Sequence, residues 1–317
     1  MFFAAVRNRL ARVLLAALLI AAVVMPPWAP LLRPAHAAVL PELPRVYLTT
    51  TYALPTGPTI TVPAGGDFQA ALNSAQPNSV IVLTAGATYT GNFTLPNKSG
   101  SGWIYILSSA LGSLPAPGTR VAPAQAPLMP KIVSSNTNPA IATAGGAHHY
   151  RFAGIELAST WASTSSAAYA VVNLDGSPAP ANLVFDRCYI HGTPTGSLRN
   201  GVIINSASTA ILDSWVSDVH ELSNEAHGIL GNSGPGPFKI VNNEVQAAGQ
   251  NIMFSQDSSN GVIPSDIEIR GNHLFKPTSW YYPNNPNAGL TTWSVKNLFE
   301  LKNATRVLFD GNVLENA

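Results

Sequence analysis

A repeated eight-residue segment constrains the fold of this 317-residue chain more than any other feature of the sequence. Each copy has apolar residues at its first, third and eighth places and a small or polar residue at its sixth. Copies begin at positions 152, 183, 210, 238, 267 and 307, so most intervals are close to 28 residues. A repeat of roughly 20 to 50 residues is typical of solenoids. The clearest copies are Leu183–Ile190, Phe238–Val245, Ile267–Leu274 and Val307–Leu314, and looser copies begin at Phe152 and Ala210.

A second apolar segment lies between successive copies, for example at Gly201–Ile204, Gly228–Leu230 and Asn251–Phe254. The corners between these segments are rich in Gly, Asn, Asp and Ser and leave no room for a crossover helix. Two or three short strands cannot bury an apolar face alone, whereas stacked coils bury a continuous core and pair equivalent strands in parallel. The repeat therefore predicts an all-β chain folded as a right-handed parallel β-helix.

The sixth place of the repeat holds an asparagine in three later copies, at Asn243, Asn272 and Asn312. This recurrence predicts an internal asparagine ladder in which each side-chain amide bonds to its neighbours above and below. Cys188 and Trp215 occupy the same place in earlier copies. We therefore interpret Cys188 as a buried filler rather than a reactive thiol, because a single adjacent arginine is its only basic neighbour.

The two ends of the predicted β-helix differ. Near the start, Asp67 is placed to cap a short helix that ends near Ala75 and covers the first coil, with Phe68 and Leu72 on its buried face. At the other end the chain stops at Ala317, in a corner directly after a strand. We expect residues 60–317 to form a β-helix that is incomplete at its C-terminal end.

Residues 1–37 have the three parts of a secretory signal peptide. A basic start with three arginines is followed by the apolar run Val13–Met25 and by Ala35-His36-Ala37, an A-x-A cleavage site. The run is shorter than the roughly 20 apolar residues that span a bilayer, although an uncleaved anchor helix is the alternative. We expect a secreted protein, extracellular or periplasmic, in which an extended segment at residues 38–59 precedes the β-helix.

The composition excludes several classes of protein. Only 10% of residues are charged, and 17 basic residues face 16 acidic ones, which argues against a disordered tail or a nucleic-acid-binding protein. A single cysteine excludes an intramolecular disulfide framework and a multi-cysteine metal site. We expect a monomer that contacts no membrane once the signal peptide is cleaved.

Several motifs resemble the pectin-lyase-like family of right-handed β-helix proteins. Gly66–Leu72 and Val80–Tyr89 resemble the N-terminal cap and first coil of the family. Gly234–Asn243, Pro264–Arg270 and Lys296–Asn303 are similar to a group of secreted bacterial members. The resemblance covers about residues 60–317 and implies the fold. The family contains pectate, alginate and chondroitin lyases, polygalacturonases, tailspikes and adhesins, so the fold by itself selects no activity.

The resemblance implies a way to assign catalytic residues. Lyases of this fold remove a proton beside a uronate carboxylate with a lysine or arginine base, while Ca²⁺ or another cation neutralises that carboxylate. We expect Lys276 to be the base, with Arg270 and His220 as further catalytic candidates. Corners after the eighth place of the repeat predict a surface column of His191, Asp218, His220, Gln246, Lys276 and Glu315.

Carboxylates near the same corners predict a Ca²⁺ site formed by Asp218, Glu225 and Asp257. The alternative is that these are ordinary solvated corner residues, since corners are exposed by default. A hydrolase of the polygalacturonase type is less favoured than a lyase. Asp213 and Asp218 lie on one coil, but no aspartate pair of the adjacent kind is present.

The longest repeat interval contains an insertion of about a dozen residues, and solenoid insertions tend to lie on the binding face. Its aromatic residues Trp280, Tyr281 and Trp293 can stack on sugar rings, and His191 and His227 complete the predicted substrate-binding set. The alternative is that Trp280 and Trp293 fold back over the flank of the solenoid.

The sequence thus favours a secreted bacterial β-helix protein that binds an acidic polysaccharide, of the pectate, alginate or glycosaminoglycan kind, and cleaves it by β-elimination. A non-catalytic, adhesin-like carbohydrate-binding solenoid is the alternative.

Overall fold

The computed structural model describes residues 40–51, 53, 56–255, 261–281 and 293–317. The predicted signal peptide lies outside these residues. One α-helix, α1 (Phe68–Ser74), and short 3₁₀ turns at Leu111–Ser113, Pro123–Leu128 and Thr278–Trp280 accompany the strands. In chain order the strands are β1 Thr59–Val62, β2 Val80–Leu83, β3 Thr88–Thr90, β4 Phe93–Leu95, β5 Ile104–Ser108, β6 Lys131–Ser134, β7 Ile141–Thr143, β8 His148–Ala153, β9 Glu156–Ser159, β10 Val172–Asn173, β11 Ala181–Asp186, β12 Tyr189–His191, β13 Asn200–Ile203, β14 Ala207–Leu212, β15 Trp215–Val219, β16 His227–Gly231, β17 Phe238–Val241, β18 Glu244–Ala247, β19 Gln250–Phe254, β20 Ser265–Arg270, β21 His273–Lys276, β22 Phe299–Leu301, β23 Thr305–Asp310 and β24 Val313–Asn316.

The strands form three parallel sheets, and each complete coil contributes one strand to each sheet. Sheet A has the order β1-β2-β5-β8-β11-β14-β17-β20-β23. Sheet B has the order β3-β6-β9-β12-β15-β18-β21-β24, and sheet C has the order β4-β7-β10-β13-β16-β19-β22. The chain therefore passes from A to B to C and back to A, one coil further along. The predicted all-β, right-handed parallel β-helix is confirmed.

Inward-facing side chains stack into rows because equivalent strands pair in register. Phe152 pairs with Phe185 in sheet A, and their rings lie parallel with centroids 4.9 Å apart. Ile211, Ile240 and Ile269 continue the row and are at most 1% exposed. Burial of each such side chain stabilises the fold by about 1.5–3 kcal/mol. The apolar third place of the repeat is therefore the core of the solenoid.

From β8 onward, a tight two-residue corner joins sheet A to sheet B in each coil. Its first residue has positive φ, which glycine, asparagine and aspartate tolerate best. Arg187, with φ 50°, is the exception in this row. The next residue forms the predicted ladder, which is confirmed: Asn272 Nδ2 donates to Asn312 Oδ1 and to Ile240 O, each at 2.9 Å. Asn243 N and Nδ2 in turn donate to Asn272 Oδ1 at 2.9 Å.

The structure corrects the register of the two looser repeat copies. Leu183 pairs with Thr209 rather than Ala210, and with Tyr150 rather than Phe152. As a result Ser214, not Trp215, continues the ladder, and its backbone N–H donates to Asn243 Oδ1 at 2.9 Å. The first place of one of these copies is held by Thr209, whose hydroxyl side chain does not stand out as apolar in the sequence. The starts of the looser copies could therefore not be fixed from the sequence. Trp215 instead lies half-buried on the outer face of sheet B.

Cys188 lies one coil before Ser214 in the ladder and is fully buried. Its backbone N–H donates to Ser214 Oγ at 2.9 Å. Burial raises the pKa of the thiol to about 12, so the thiolate is not formed at neutral pH. The interpretation of Cys188 as a buried filler fits this environment.

The start of the solenoid is covered by helix α1. Asp67 caps it as predicted, with Oδ1 accepting from Ala70 N at 2.9 Å, and Phe68 and Leu72 are buried against the first coil. Residues 42–51, here called the N-terminal strap, belong to the same compact unit as the coils and lie across the outer face of sheet A. Within the described ranges, no helix is long and apolar enough to cross a membrane.

Replacing Asn272 with alanine tests the ladder. The change leaves the buried Asn243 N–H and Ile240 carbonyl without their partners, and each such loss costs about 1–3 kcal/mol. We expect Asn272→Ala to lower the free energy of unfolding by at least about 2 kcal/mol in urea titrations followed by circular dichroism. Asn312→Ala, in the last coil, is the matched control and should cost less. Equal stabilities of Asn272→Ala and the wild type would contradict the ladder's role.

Candidate functional site

A cluster of charged and polar side chains lies where sheet B passes to sheet C in the later coils. Eight residues, here called the corner cluster, interact with one another: Arg199, Glu221, Glu225, His227, Gln250, Lys296, Glu300 and Lys302. They come from four successive coils, because parallel stacking brings equivalent corners to a spacing of about 4.8 Å. The cluster has three carboxylates and three cations around one histidine.

His227 lies at the centre of this cluster, at the start of β16. It pairs in register with Asn200 of β13 and with Gln250 of β19. His227 Nδ1 lies 3.0 Å from Asn200 Oδ1, and Asn200 Nδ2 donates to Tyr169 O at 2.9 Å. The second contact orients the amide so that its oxygen faces the ring. His227 Nδ1 is therefore the donor, and the proton of the neutral ring lies on Nδ1.

The other ring nitrogen of His227 remains an acceptor. Nε2 has no hydrogen-bond partner among the described residues, and the closest carboxylate oxygen, Glu225 Oε2, is 3.8 Å away. Burial lowers the pKa of His227 to about 4. At neutral pH the ring is therefore uncharged, and Nε2, which is itself buried, keeps its lone pair.

Gln250 connects the two outer carboxylates of the cluster. Its Nε2 donates to Glu225 Oε2 at 2.9 Å and to Glu300 Oε2 at 2.8 Å. Lys296 forms an ion pair with Glu225, and this contact holds the pKa of Glu225 below its usual value. The hydrogen bond from Gln250 likewise lowers the pKa of Glu300. Both carboxylates are ionised at neutral pH.

Cations line the same corner. Arg199 Nε and Nη2 donate to Glu221 at 2.9 and 3.1 Å, a bidentate pair that lowers the pKa of Glu221 despite its burial. Lys302 approaches Glu300 only at 3.7 Å, and its side chain is 49% exposed. Lys302 is therefore the cation of the cluster with the loosest pairing.

His220 lies beneath the corner cluster rather than on the predicted surface column. It is fully buried, and its ring stacks on Trp293 with centroids 3.8 Å apart. Trp280 meets the same ring edge-on at 5.4 Å. Both tryptophans are less than 10% exposed and pack with Ala248. The alternative that the tryptophans fold back over the solenoid flank therefore describes the structure, and neither ring offers a free face for a sugar.

Lys276, the base expected from the sequence, is also inside the corner. It is 0% exposed, and its Nζ donates to the carbonyls of Ala247, Ala248 and Gly249 at 2.5, 2.9 and 2.7 Å. Burial lowers the pKa of the amine to about 7. Three carbonyls match the three N–H donors of an ammonium group. This geometry makes Lys276 a brace for the chain between β18 and β19 and keeps its amine away from solvent.

Other members of the predicted column lie on the outer face of sheet B. His191 Nε2 is 2.9 Å from Glu156 Oε1, and its ring stacks on Tyr189 with centroids 4.1 Å apart. Strand pairing continues this row from His191 to Ser217 and, beyond the bulge of β15, from Gln246 through Phe275 to Glu315. The predicted column is therefore divided. His191, Gln246 and Glu315 lie on the outer surface of sheet B, whereas His220 and Lys276 are buried.

The predicted Ca²⁺ ligands do not meet among the described residues. Asp218 lies at a bulge of β15 near His191, and burial raises the pKa of its carboxyl group. Glu225 is engaged by Gln250 and Lys296 in the corner cluster. Asp257 lies outside the described residues. No three His, Cys, Asp or Glu side chains within the described ranges are arranged to hold a metal ion.

The two remaining predicted residues are elsewhere. Arg270 lies on the outer face of sheet A, where its Nη2 is 3.2 Å from Asp310 Oδ2. Tyr281 follows the last 3₁₀ turn, and its hydroxyl donates to Asn316 Oδ1 at 2.8 Å. Neither residue contacts the corner cluster.

Sequence reasoning missed most of the corner cluster. Only Glu225 and His227 were candidates, and they were assigned to separate metal and substrate sites. A signal was present: Asn200, His227 and Gln250 each directly precede the second apolar segment of a repeat. Lys296, Glu300 and Lys302 follow the long insertion, whose length hides their alignment with earlier coils.

Comparison with known proteins gives likenesses of fold. No protein-family model matches the sequence, and no curated protein matches it. Among solved structures, an alginate lyase from Paenibacillus sp. is 14% identical, with 82% of this chain and 98% of that chain covered and a TM-score of 0.42. Pectate lyase Pel9A is 14% identical, with coverages of 80% and 78% and a TM-score of 0.46. A pectin methylesterase from Aspergillus niger is 12% identical, with coverages of 86% and 88% and a TM-score of 0.41. The chain shares with these proteins the right-handed parallel β-helix.

Replacing His220 with phenylalanine tests the buried stack. Burial lowers the pKa of His220 to about 4, below its ordinary value of 6.5, so the unfolded chain binds this proton first as the pH falls. The stability that His220 contributes is present above pH 6.5 and is lost as the pH falls toward 4. We expect His220→Phe to reduce this acid destabilisation by on the order of 3 kcal/mol in urea titrations from pH 7 to 4. His273→Gln, on a half-exposed outer face, is the control. An unchanged pH slope in His220→Phe would show that the folded protein does not hold this ring neutral.

Replacing Lys276 with methionine separates a brace from a catalytic base. Methionine keeps most of the apolar stem but removes the ammonium donors from three carbonyls, of which Ala248 O keeps its bond from Lys296 N. We therefore expect a loss of at least about 2 kcal/mol in unfolding free energy. Lys302→Met, which changes a half-exposed lysine, should lose less than about 0.5 kcal/mol. A Lys276→Met protein as stable as the wild type would exclude the brace.

Proposed function

We propose that this chain is a secreted bacterial protein that binds an acidic polysaccharide at the corner cluster and cleaves it by β-elimination, with His227 as the general base. The observation that carries the proposal is the state of the His227 ring. Its Nδ1 proton is held by Asn200, burial lowers its pKa to about 4, and its buried Nε2 atom keeps a lone pair that has no hydrogen-bond partner among the described residues. A base must be unprotonated at the working pH and must present a lone pair.

The cations beside His227 select the substrate class. β-Elimination removes a proton next to a carboxylate, and that proton becomes acidic enough only when the carboxylate charge is neutralised. Lys302 and Arg199 both act on the His227 ring electrostatically, and both side chains are more than 40% exposed. Lys302 is loosely paired and can accept a uronate carboxylate as a second partner. Arg199 lies three coils before Lys302, on the coil next to that of His227.

In the proposed chemical step, His227 is the only protein group that takes up or releases a proton. The C5–H bond of the uronate breaks and its proton moves to His227 Nε2, while the electron pair forms the C4–C5 double bond. The C4–O bond breaks, and the departing oxygen takes a proton from the imidazolium or from water. Asn200 holds Nδ1 throughout and therefore keeps the ring in one orientation. We propose the step without Ca²⁺.

Replacing His227 with glutamine tests the proposal. Glutamine keeps a polar side chain but cannot act as a base, and loss of a general base reduces rates by about 10²–10⁴-fold. The assay follows absorbance near 235 nm, which reports the new double bond, on pectate, alginate and chondroitin. We expect the wild-type chain to produce a rise on one of these substrates and His227→Gln to lose at least about 100-fold of that rate.

His191→Gln is the matched control, because it changes a histidine of similar burial on sheet B and should retain the rate. The proposal fails if His227→Gln keeps full activity, or if activity requires Ca²⁺ and is abolished by chelation. Retention on a polysaccharide column without any absorbance rise would replace it with the non-catalytic binder. Release of reducing ends without a rise at 235 nm would indicate hydrolysis instead.

A further inference from the structure

A separate cleft lies on the outer face of sheet A and shares no residue with the corner cluster. Its volume is about 530 Å³, within the range of small-molecule sites. Leu212 and Val241 contribute apolar surface from two successive strands, while Thr50 of the N-terminal strap and Gly118 of the β5–β6 connection line its sides. The cleft therefore combines an apolar floor with polar walls.

Protein donors already engage the two carboxylates in the cleft. Asp186 Oδ2 accepts from Arg151 Nη2 at 2.7 Å, and Asp186 Oδ1 accepts from Arg187 Nε at 2.9 Å. Asp213 Oδ2 accepts from Gly118 N at 2.6 Å, and its Oδ1 accepts from Asn242 Nδ2 at 2.7 Å. These acids are thus oriented by their partners, and they do not offer a site for a cation.

Lys239 is the charged residue of the cleft whose hydrogen bonding is incomplete. Its Nζ donates to Leu48 O at 3.2 Å, and no carboxylate within 4.0 Å pairs with it among the described residues. An ammonium group carries three donors, so two of them remain for a ligand. Two cations, Arg151 and Lys239, line the cleft with two aspartates, so the charges of the lining balance, and Glu268 is the strand neighbour of Lys239.

The N-terminal strap brings two of these cations to one place. Arg151 and Lys239 lie in the same row of sheet A, three strand spacings apart. Their side chains nevertheless donate to carbonyls of the strap only two residues apart, at Thr50 and Leu48. Two residues span at most about 7 Å, so both charged ends reach the same short segment. The intervening positions hold Val184 and Ala210, which are buried and pack with Leu48 of the strap.

We propose that this cleft binds a hydroxylated monocarboxylate of the size of a single hexuronic acid. The carboxylate pairs with Lys239 beside Arg151, the apolar face of the ring lies on Leu212 and Val241, and the hydroxyls reach Thr50 and Asp213. The unused donors of Lys239 set the preference for one carboxylate, because both aspartates of the cleft already have donors, and the apolar floor sets the preference for a ring over an inorganic ion. The inference does not depend on the proposed function, since it uses none of the residues of the corner cluster.

Calorimetric titration of the full chain with glucuronate, galacturonate and glucose tests this site. We expect one uronate to bind in a 1:1 complex, glucose to bind at least about tenfold more weakly, and affinity to fall with added salt. Lys239→Met should weaken uronate binding by about tenfold to a hundredfold, the effect of losing one charge-assisted contact. Lys239→Arg should retain most of the affinity.

Lys302→Met is the control that separates this site from the proposed catalytic site. Unchanged uronate affinity in Lys302→Met is expected, and a loss equal to that in Lys239→Met would assign the binding to the corner cluster instead. Equal affinity for sulfate or phosphate would overturn the sugar-acid assignment in favour of a general anion site. Absence of binding by either uronate at millimolar concentration, with the circular dichroism of the wild-type fold intact, would overturn the site altogether.

Discussion

Hydrogen bonding of each coil to the next is the interaction on which the rest of this structure depends. Parallel pairing satisfies the backbone hydrogen-bonding groups of the strands. It does not satisfy those of the tight corner between sheets A and B, where the chain turns in two residues. Asn243 and Asn272 satisfy it by bonding to the corner backbone and to each other. The same spacing that makes strands pair therefore makes the ladder possible, and the ladder holds the coils in register.

This register governs the placement of charge. Equivalent residues in adjacent coils are about 4.8 Å apart, so an outward-facing charged residue lies next to the residues at the same repeat position in the preceding and following coils. Opposite charges then pair across coils, as Arg199 does with Glu221, and Lys276 meets the carbonyls of the preceding corner. In a chain with only 10% charged residues, such positions are few. Where they concentrate, at the corner cluster and in the sheet A cleft, they mark the places with chemistry beyond the fold.

The two sites use histidine and lysine in different states. At the corner cluster, burial and a fixed partner hold His227 neutral, while exposed Lys302 and Arg199 keep their charges at the rim. In the sheet A cleft, Lys239 is half-buried and bonded to a single carbonyl. A buried neutral base beside exposed cations suits proton removal from an anion, whereas an underused cation over an apolar floor suits binding alone. The charge state and hydrogen bonding of the histidine and the lysine therefore follow from local packing and not from residue type alone.

The repeat determined the fold class and the asparagine ladder, because both depend on a period that can be read along the chain. The capping helix was readable from local signals, the N-cap Asp67 and the apolar face of Phe68 and Leu72. The periodicity also aligned His191, Gln246 and Glu315. It could not place His220 or Lys276, because a corner residue that turns inward has the same sequence spacing as one that turns outward. Nor could it join Glu300 and Lys302 to His227 across an insertion of irregular length. Only the stacked structure decided these contacts, since burial and partners depend on how consecutive corners pack and not on where they fall in the repeat.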